Sequence, residues 1–185
     1  MPRLLSQYCF RHVAFMLFLI SAAAHGQDKA AYSSAWRGVA FETPVAFSAP
    51  IDAGLDAVAF VHPPDQGIGK GRMELTLIAF SKDMQESLGG SDADCYSYAL
   101  SVFFGSLGGK VANDSSMRVF LDQVTVGRRF ALEIPGQRTV EMTLVPLFDG
   151  SKTLIALTRF PGASEKEAEA VMLALSRTFR ETTAR

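Results

Sequence analysis

The chain has 185 residues, 18 of them basic and 19 acidic, and a formal net charge of −1. That balance argues against nucleic acid as a partner, which would favour a strong basic excess. The length suits one domain behind a short leader, and nothing repeats at a fixed period.

The first segment to place is "AFMLFLISAAAHGQDKA", residues 14–30. Arg3, Arg11 and His12 form a basic stretch before an unbroken apolar run from Val13 to Ile20. The run is far short of the ~20 residues that cross a bilayer, and small residues follow it. This pattern predicts a cleaved export signal over 1–26, cut between Gly26 and Gln27 or after Ala24, with an uncleaved anchor as the alternative. Cys9 precedes the apolar run, so no lipidation site is expected. Loss of Arg3 and Arg11 with the leader would take the net charge from −1 to −3. The expected destination is the periplasm or the medium, with no membrane span once the signal is gone. Cys95 is then the one remaining thiol, so stability must come from packing instead of internal disulfides.

Residues 27–35 are small and polar and read as a loose arm. From Trp36 the chain reads as strands. "WRGVAF" and "PVAF" straddle Pro44, which marks an edge or bent strand. "LDAVAFVH" (55–62) alternates and stops at Pro63-Pro64. "RMELTLIAF" (72–80) sets Met73, Leu75, Leu77 and Ala79 on one side, and the glycine-rich "PPDQGIGKG" between the two reads as a long hairpin loop. A helical turn is expected near Asp83–Leu88. A helix follows at about 93–107, capped by Ser91, Asp92 and Asp94 and stopped by Gly108-Gly109; its buried stripe would run through Cys95, Tyr98, Ala99, Val102, Phe103 and Ser106.

Four strands come next: "MRVFLDQVTV", a turn at Gly127, "RRFALEI", a turn at Pro135-Gly136, then "RTVEMTLVPLF" and "KTLIALTRF" joined by an Asp149-Gly150 two-residue hairpin. The last element is an amphipathic helix. Ser164 and Glu167 make a capping box, and Ala168, Val171, Met172, Leu175 and Phe179 recur on one face. Glu165, Lys166, Glu169, Arg177 and Arg180 take the other face. The order predicts an α+β fold, an α/β/α-type sandwich with a central, mostly antiparallel sheet and a C-terminal amphipathic helix.

Three stretches, "GVAFETPVAF", "VTVGRRFALEI" and "LTRFPGASEKEAEAVMLALSRTF", give residues 36–181 the look of a PsbP-like domain. The chain resembles that family in a layout shared by an extrinsic photosystem subunit, a nuclear-import factor and many small exported bacterial proteins. It has Arg177-Thr178-Phe179 where such domains often have Ser-Phe. The resemblance implies the fold and, for function, binding or assistance of other proteins without catalysis.

The catalytic inventory past the leader is short. His62 is the one imidazole there, so any triad or thiol–imidazole pair must use it, and Cys95 is its only thiol partner. Cys95 lies in the first helical turn, where the helix dipole lowers a thiol pKa, yet also within an apolar stripe. One His and one Cys do not make a zinc site, and the acidic patch Asp83, Glu86, Asp92 and Asp94 lacks calcium-loop spacing. "GIGKG" (67–71) lacks the Lys-Ser/Thr ending and the following helix of a phosphate loop. Asn113-Asp114-Ser115 matches a glycosylation triplet that a bacterial origin would leave idle. The expectation is therefore a non-catalytic periplasmic or secreted binding or accessory protein, with no cofactor and no metal, whose partner is an envelope protein or a small molecule. Lys70 and Arg72 at one basic loop, and Arg128 and Arg129 at a second exposed basic turn, are the candidate contacts. The alternative is a small thiol-dependent or hydrolytic enzyme using Cys95 and His62.

Overall fold

In the computed structural model the described residues are 31–103, 110–132 and 138–182. The leader, the Gly26–Gln27 cut, Gly108-Gly109 and Pro135-Gly136 lie outside them. The side chain of Asn113 does too. The elements run β1 (Tyr32–Trp36), β2 (Val39–Thr43), β3 (Ile51–Gly54), β4 (Ala57–His62), β5 (Met73–Phe80), α1 (Lys82–Leu88), α2 (Asp92–Phe103), β6 (Lys110–Phe120), β7 (Gln123–Leu132), β8 (Arg138–Pro146), β9 (Lys152–Arg159), α3 (Glu165–Thr178) and β10 (Arg180–Glu181). Seven strands form one antiparallel sheet in the order β3-β4-β5-β9-β8-β7-β6, and β1-β2-β10 form a second, small one. The fold is α+β. No helix among the described residues is long and apolar enough to cross a membrane.

Each face of the large sheet has its own core. On one side Phe60, Met73, Leu75, Leu77, Ile155 and Leu157 meet Val171, Met172 and Leu175 of α3 and Val39 and Phe41 of β2. On the other, Ile78, Phe80, Met142, Leu144, Leu154 and Ala156 meet Cys95, Tyr96 and Ala99 of α2, with Met84 and Leu88 of α1. Because both faces are covered, β4 is buried at every position from Ala57 to Val61 instead of alternating. In β5, Met73, Leu75 and Leu77 share one side as their spacing requires.

The helix ends follow their chemistry. Ser81 caps α1 by accepting from the Met84 amide, and Ser164 caps α3 by accepting from the Glu167 amide. At α2 the Ser91 hydroxyl donates to Asp94 Oδ2 at 2.6 Å. The buried face of α2 differs from the expected stripe, since Tyr96 is buried where Val102 is 42% exposed. The Tyr96 hydroxyl accepts from the Leu144 amide and donates to the Val126 carbonyl, so the sheet supplies the partners that a buried phenol needs. At the end of α3, the Thr178 hydroxyl accepts from the Glu42 amide at 2.9 Å and Phe179 packs edge-on to Phe120.

Three turns depart from the sequence reading. The β6–β7 turn is Leu121-Asp122, both at positive φ, so Gly127 lies inside β7 and no turn is made there. Gly127 is there for space: a Cβ would stand 2.6 Å from Ser116 Oγ and 2.9 Å from Thr143 Oγ1. Asp149-Gly150 end a three-residue loop, in which the Gly150 amide donates to the Leu147 carbonyl and only Gly150 has positive φ. Leu55, expected in a strand, forms the β3–β4 turn with Asp56. Finally, residues 32–35 of the expected arm are strand, paired in register with β2.

Candidate functional site

Cys95 and His62 are not brought together. Cys95 is buried in the core under α2, whereas His62 faces α3, so the seven-stranded sheet stands between them. Burial pushes the Cys95 thiol up; Lys152 opposes this, while Asp92 and Asp94 add to it. The dipole argument is overruled by desolvation. His62 Nδ1 is 2.6 Å from the Ala46 carbonyl, its Nε2 is 3.7 Å from Glu167 Oε1, and its ring packs beside Phe47. It ties the 44–50 segment to α3.

The second basic turn does not exist as a turn. Arg128 and Arg129 lie within β7 and point to opposite faces of the sheet. The Arg128 guanidinium lies 5.1 Å over the Tyr96 ring on the α2 side. Arg129, on the α3 side, donates to Glu165 Oε1 at 3.1 Å and to Glu141 Oε2 at 3.4 Å. It belongs to a network that sequence patterning misses, because its members are far apart in the chain. Buried Arg118 donates to Glu141 Oε1 from Nε and Nη2 and to both carboxylate oxygens of Glu169, at 2.8–3.2 Å. The Ser116 hydroxyl adds a 2.7 Å bond to Glu141. Burial pulls the Arg118 guanidinium down, but its bonds to Glu169 and Glu141 and their charges outweigh this and its pKa is raised. The bond from Arg118 holds the Glu169 carboxyl below its usual range. Every carboxylate in the cluster faces an arginine, so it clamps β6, β7 and β8 to α3. The space it encloses, about 20 Å³ lined by Arg129, Thr139, Glu141, Arg159, Glu165 and Glu169, has room for a single water.

The basic loop between β4 and β5 is an ordered structure. The Lys70 amide donates to the Gly67 carbonyl, the Arg72 amide to the His62 carbonyl, and the Gly69 amide to Glu74 Oε2. Gly71 is required, since a Cβ would lie 2.6 Å from Val61 and 2.7 Å from the His62 carbonyl. Lys70 and Arg72 are exposed at its surface.

The site with the most character is a cleft of about 500 Å³ between two tight turns. One is Arg37-Gly38, joining β1 and β2; the other is Leu55-Asp56, joining β3 and β4. Trp36, Arg37, Asp52, Leu55 and Asp56 line it. Arg37 lies 5.2 Å over the Trp36 ring and its Nη2 is 2.6 Å from Asp56 Oδ1, so one guanidinium links the two turns. Asp52 Oδ1 accepts from the Gly54 amide, which shapes the turn, and the Asp56 carbonyl accepts from the Ala79 amide. Arg37, Leu55 and Asp56 all have positive φ, at 44°, 49° and 60°. Asparagine, aspartate or glycine suits such a position; a leucine there is strained by about 1–2 kcal/mol. Leu121 adopts the same conformation but is packed against the core, whereas Leu55 is 64% exposed. Residues 36 and 55 carry no mutual signal in the sequence. Among the described residues no group of three potential metal ligands converges.

No protein-family model matches the chain, and no curated protein matches it. Solved structures do. A point mutant of the protein Mog1 matches with a TM-score of 0.53 and 8% identity over 83% of this chain and 97% of that one. The solution structure of cyanobacterial PsbP (CyanoP) from Synechocystis sp. PCC 6803 matches with a TM-score of 0.48 and 16% identity, over 85% and 95%. A Bacteroides thetaiotaomicron crystal structure matches at 0.47 and 13%, and this chain spans 48% of its length. At these identities the likeness to solved structures shows fold alone.

Proposed function

We infer that this chain is an exported, non-catalytic binding or accessory domain of a bacterial envelope, which engages a protein partner or a small molecule through the cleft between the Arg37-Gly38 and Leu55-Asp56 turns. The observation that carries this reading is Leu55: an apolar side chain held in a strained backbone, facing solvent, beside a tryptophan and an arginine. Strain of this kind persists where it is used, and tryptophan and arginine are the residues most often found at binding hot spots. The exposed Lys70 and Arg72 are a second candidate contact.

A photoreactive amino acid at position 55, expressed in the native host and irradiated, tests the site. One discrete adduct is expected from position 55 and none from the exposed face of α3 at Lys166. The absence of any adduct at position 55, together with purified protein carrying no small molecule, overturns the reading. Leu55→Gly is expected to hold or raise the unfolding free energy, by about 1 kcal/mol, while abolishing the interaction. Fractionation tests export: the chain is expected outside the cytoplasm without residues 1–26, and folded cytosolic material retaining them refutes that part.

A further inference from the structure

At the opposite edge of the large sheet from that cleft lies β6, and no described residue pairs with its outer side. Sheet edges are normally blunted by proline, by outward-facing charge or by a bulge. Here the bulge lies upstream, between Val111 and Ser115, and leaves Ser115–Phe120 in regular register. The one charge in that run, Arg118, is turned inward onto Glu141 and Glu169. What faces outward is apolar: Met117 is 74% exposed and Val119 51%, and their cross-strand partners on β7 are Val126 and Val124, also exposed.

The two-residue Leu121-Asp122 turn sets which backbone groups are in use. It makes Phe120 and Gln123 a hydrogen-bonded pair, so Arg118 and Ser116 also bond to β7. The amides and carbonyls of Met117 and Val119 therefore point out of the sheet. Beside them runs a groove of about 460 Å³ between β6 and α3, lined by Met117, Val119, Val124, Leu173 and Arg177. The exposed Arg177 of α3 lies on the helix side of this edge. Arg177 makes no ion pair among the described residues, whereas the charge of Arg118 is already neutralised.

We propose that the β6 edge takes an extended partner segment as an added strand, and that this segment alternates apolar residues with carboxylates. Main-chain bonds to Met117 and Val119 supply the affinity, and the alternate side chains supply the selectivity. Apolar residues of the added strand lie against Met117 and Val119, while its acidic residues, on the opposite face, reach Arg177. A second copy is the poorer occupant, because it brings the same positive rim to this one.

The test uses synthetic acetylated peptides that alternate valine with threonine and carry glutamates on the threonine face. One control has lysines in place of the glutamates and another has a central proline. Hydrogen exchange followed by NMR should show new protection at the Met117 and Val119 amides on adding the glutamate peptide, with that of Arg118 unchanged. Fluorescence anisotropy should rank the glutamate peptide above the lysine peptide. Arg177→Glu, on an exposed helix position and checked for folding by circular dichroism, should cost the glutamate peptide about fivefold and favour the lysine one. No protection at 117 and 119, equal affinity for the two charged peptides, or equal binding of the proline control overturns the proposal. Protection that grows with protein concentration in the absence of peptide also overturns it, by assigning the edge to a second copy.

Discussion

At the scale of single residues, burial and backbone conformation override composition. Cys95 sits where a helix dipole would activate a thiol, but desolvation in a dry core raises its pKa. Its alkylation by iodoacetamide at neutral pH is expected only on unfolding, and rapid labelling of the native protein would contradict the burial. Leu55 makes the opposite point. A leucine gives no sign of a left-handed turn by its type, and only the fold shows that it is neither packed nor relaxed. Gly127 reads as a turn residue in sequence, yet its role is to let Ser116, Glu141 and Thr143 approach the strand.

At the scale of elements, the C-terminal helix is the most legible. Its capping serine, its 3-4-7 spacing and its buried Val171, Met172 and Leu175 all agree. Leu175→Asp would bury an unpaired charge and is expected to destabilise the protein by about 3–5 kcal/mol in urea unfolding; a melting temperature that hardly moved would misplace the helix. Less legible was its polar face, where Glu165 and Glu169 accept bonds from arginines of β7 and β6. That pairing predicts an acid dependence. The Glu169 carboxyl is lowered in the fold by the bond from Arg118, so its contribution is present above the ordinary glutamate value of about 4.3 and is lost as pH falls through the lower folded value. Stability should therefore fall on acidification, and fall less steeply in Glu169→Gln, as urea midpoints across an acid series would show. Equal slopes in the two proteins would remove Glu169 from the account.

At the scale of the whole molecule, one sheet with a core on each face explains most of the order. Strands β5, β9 and β8 lie at its centre and are paired on both sides, whereas β3 and β6 are edges. Native-state hydrogen exchange should be slowest at Leu75, Leu77, Ile155 and Met142, which are buried, and fastest along β3. Uniform exchange across the sheet would contradict this layering.

By itself the sequence determined what local physics decides. Period-2 and 3.6 patterns, proline stops and serine caps place β5, β9, α1 and α3, and their order implies an antiparallel α+β sandwich. The tertiary structure alone decided which residues meet across the sheet. It put Cys95 and His62 on opposite faces, set Arg128 and Arg129 inside a strand, and made a cleft from turns at residues 37 and 55. The reason is that strand register and the choice of covering face are settled by contacts distant in the chain, and shifting a strand by one residue exchanges its buried and exposed sides.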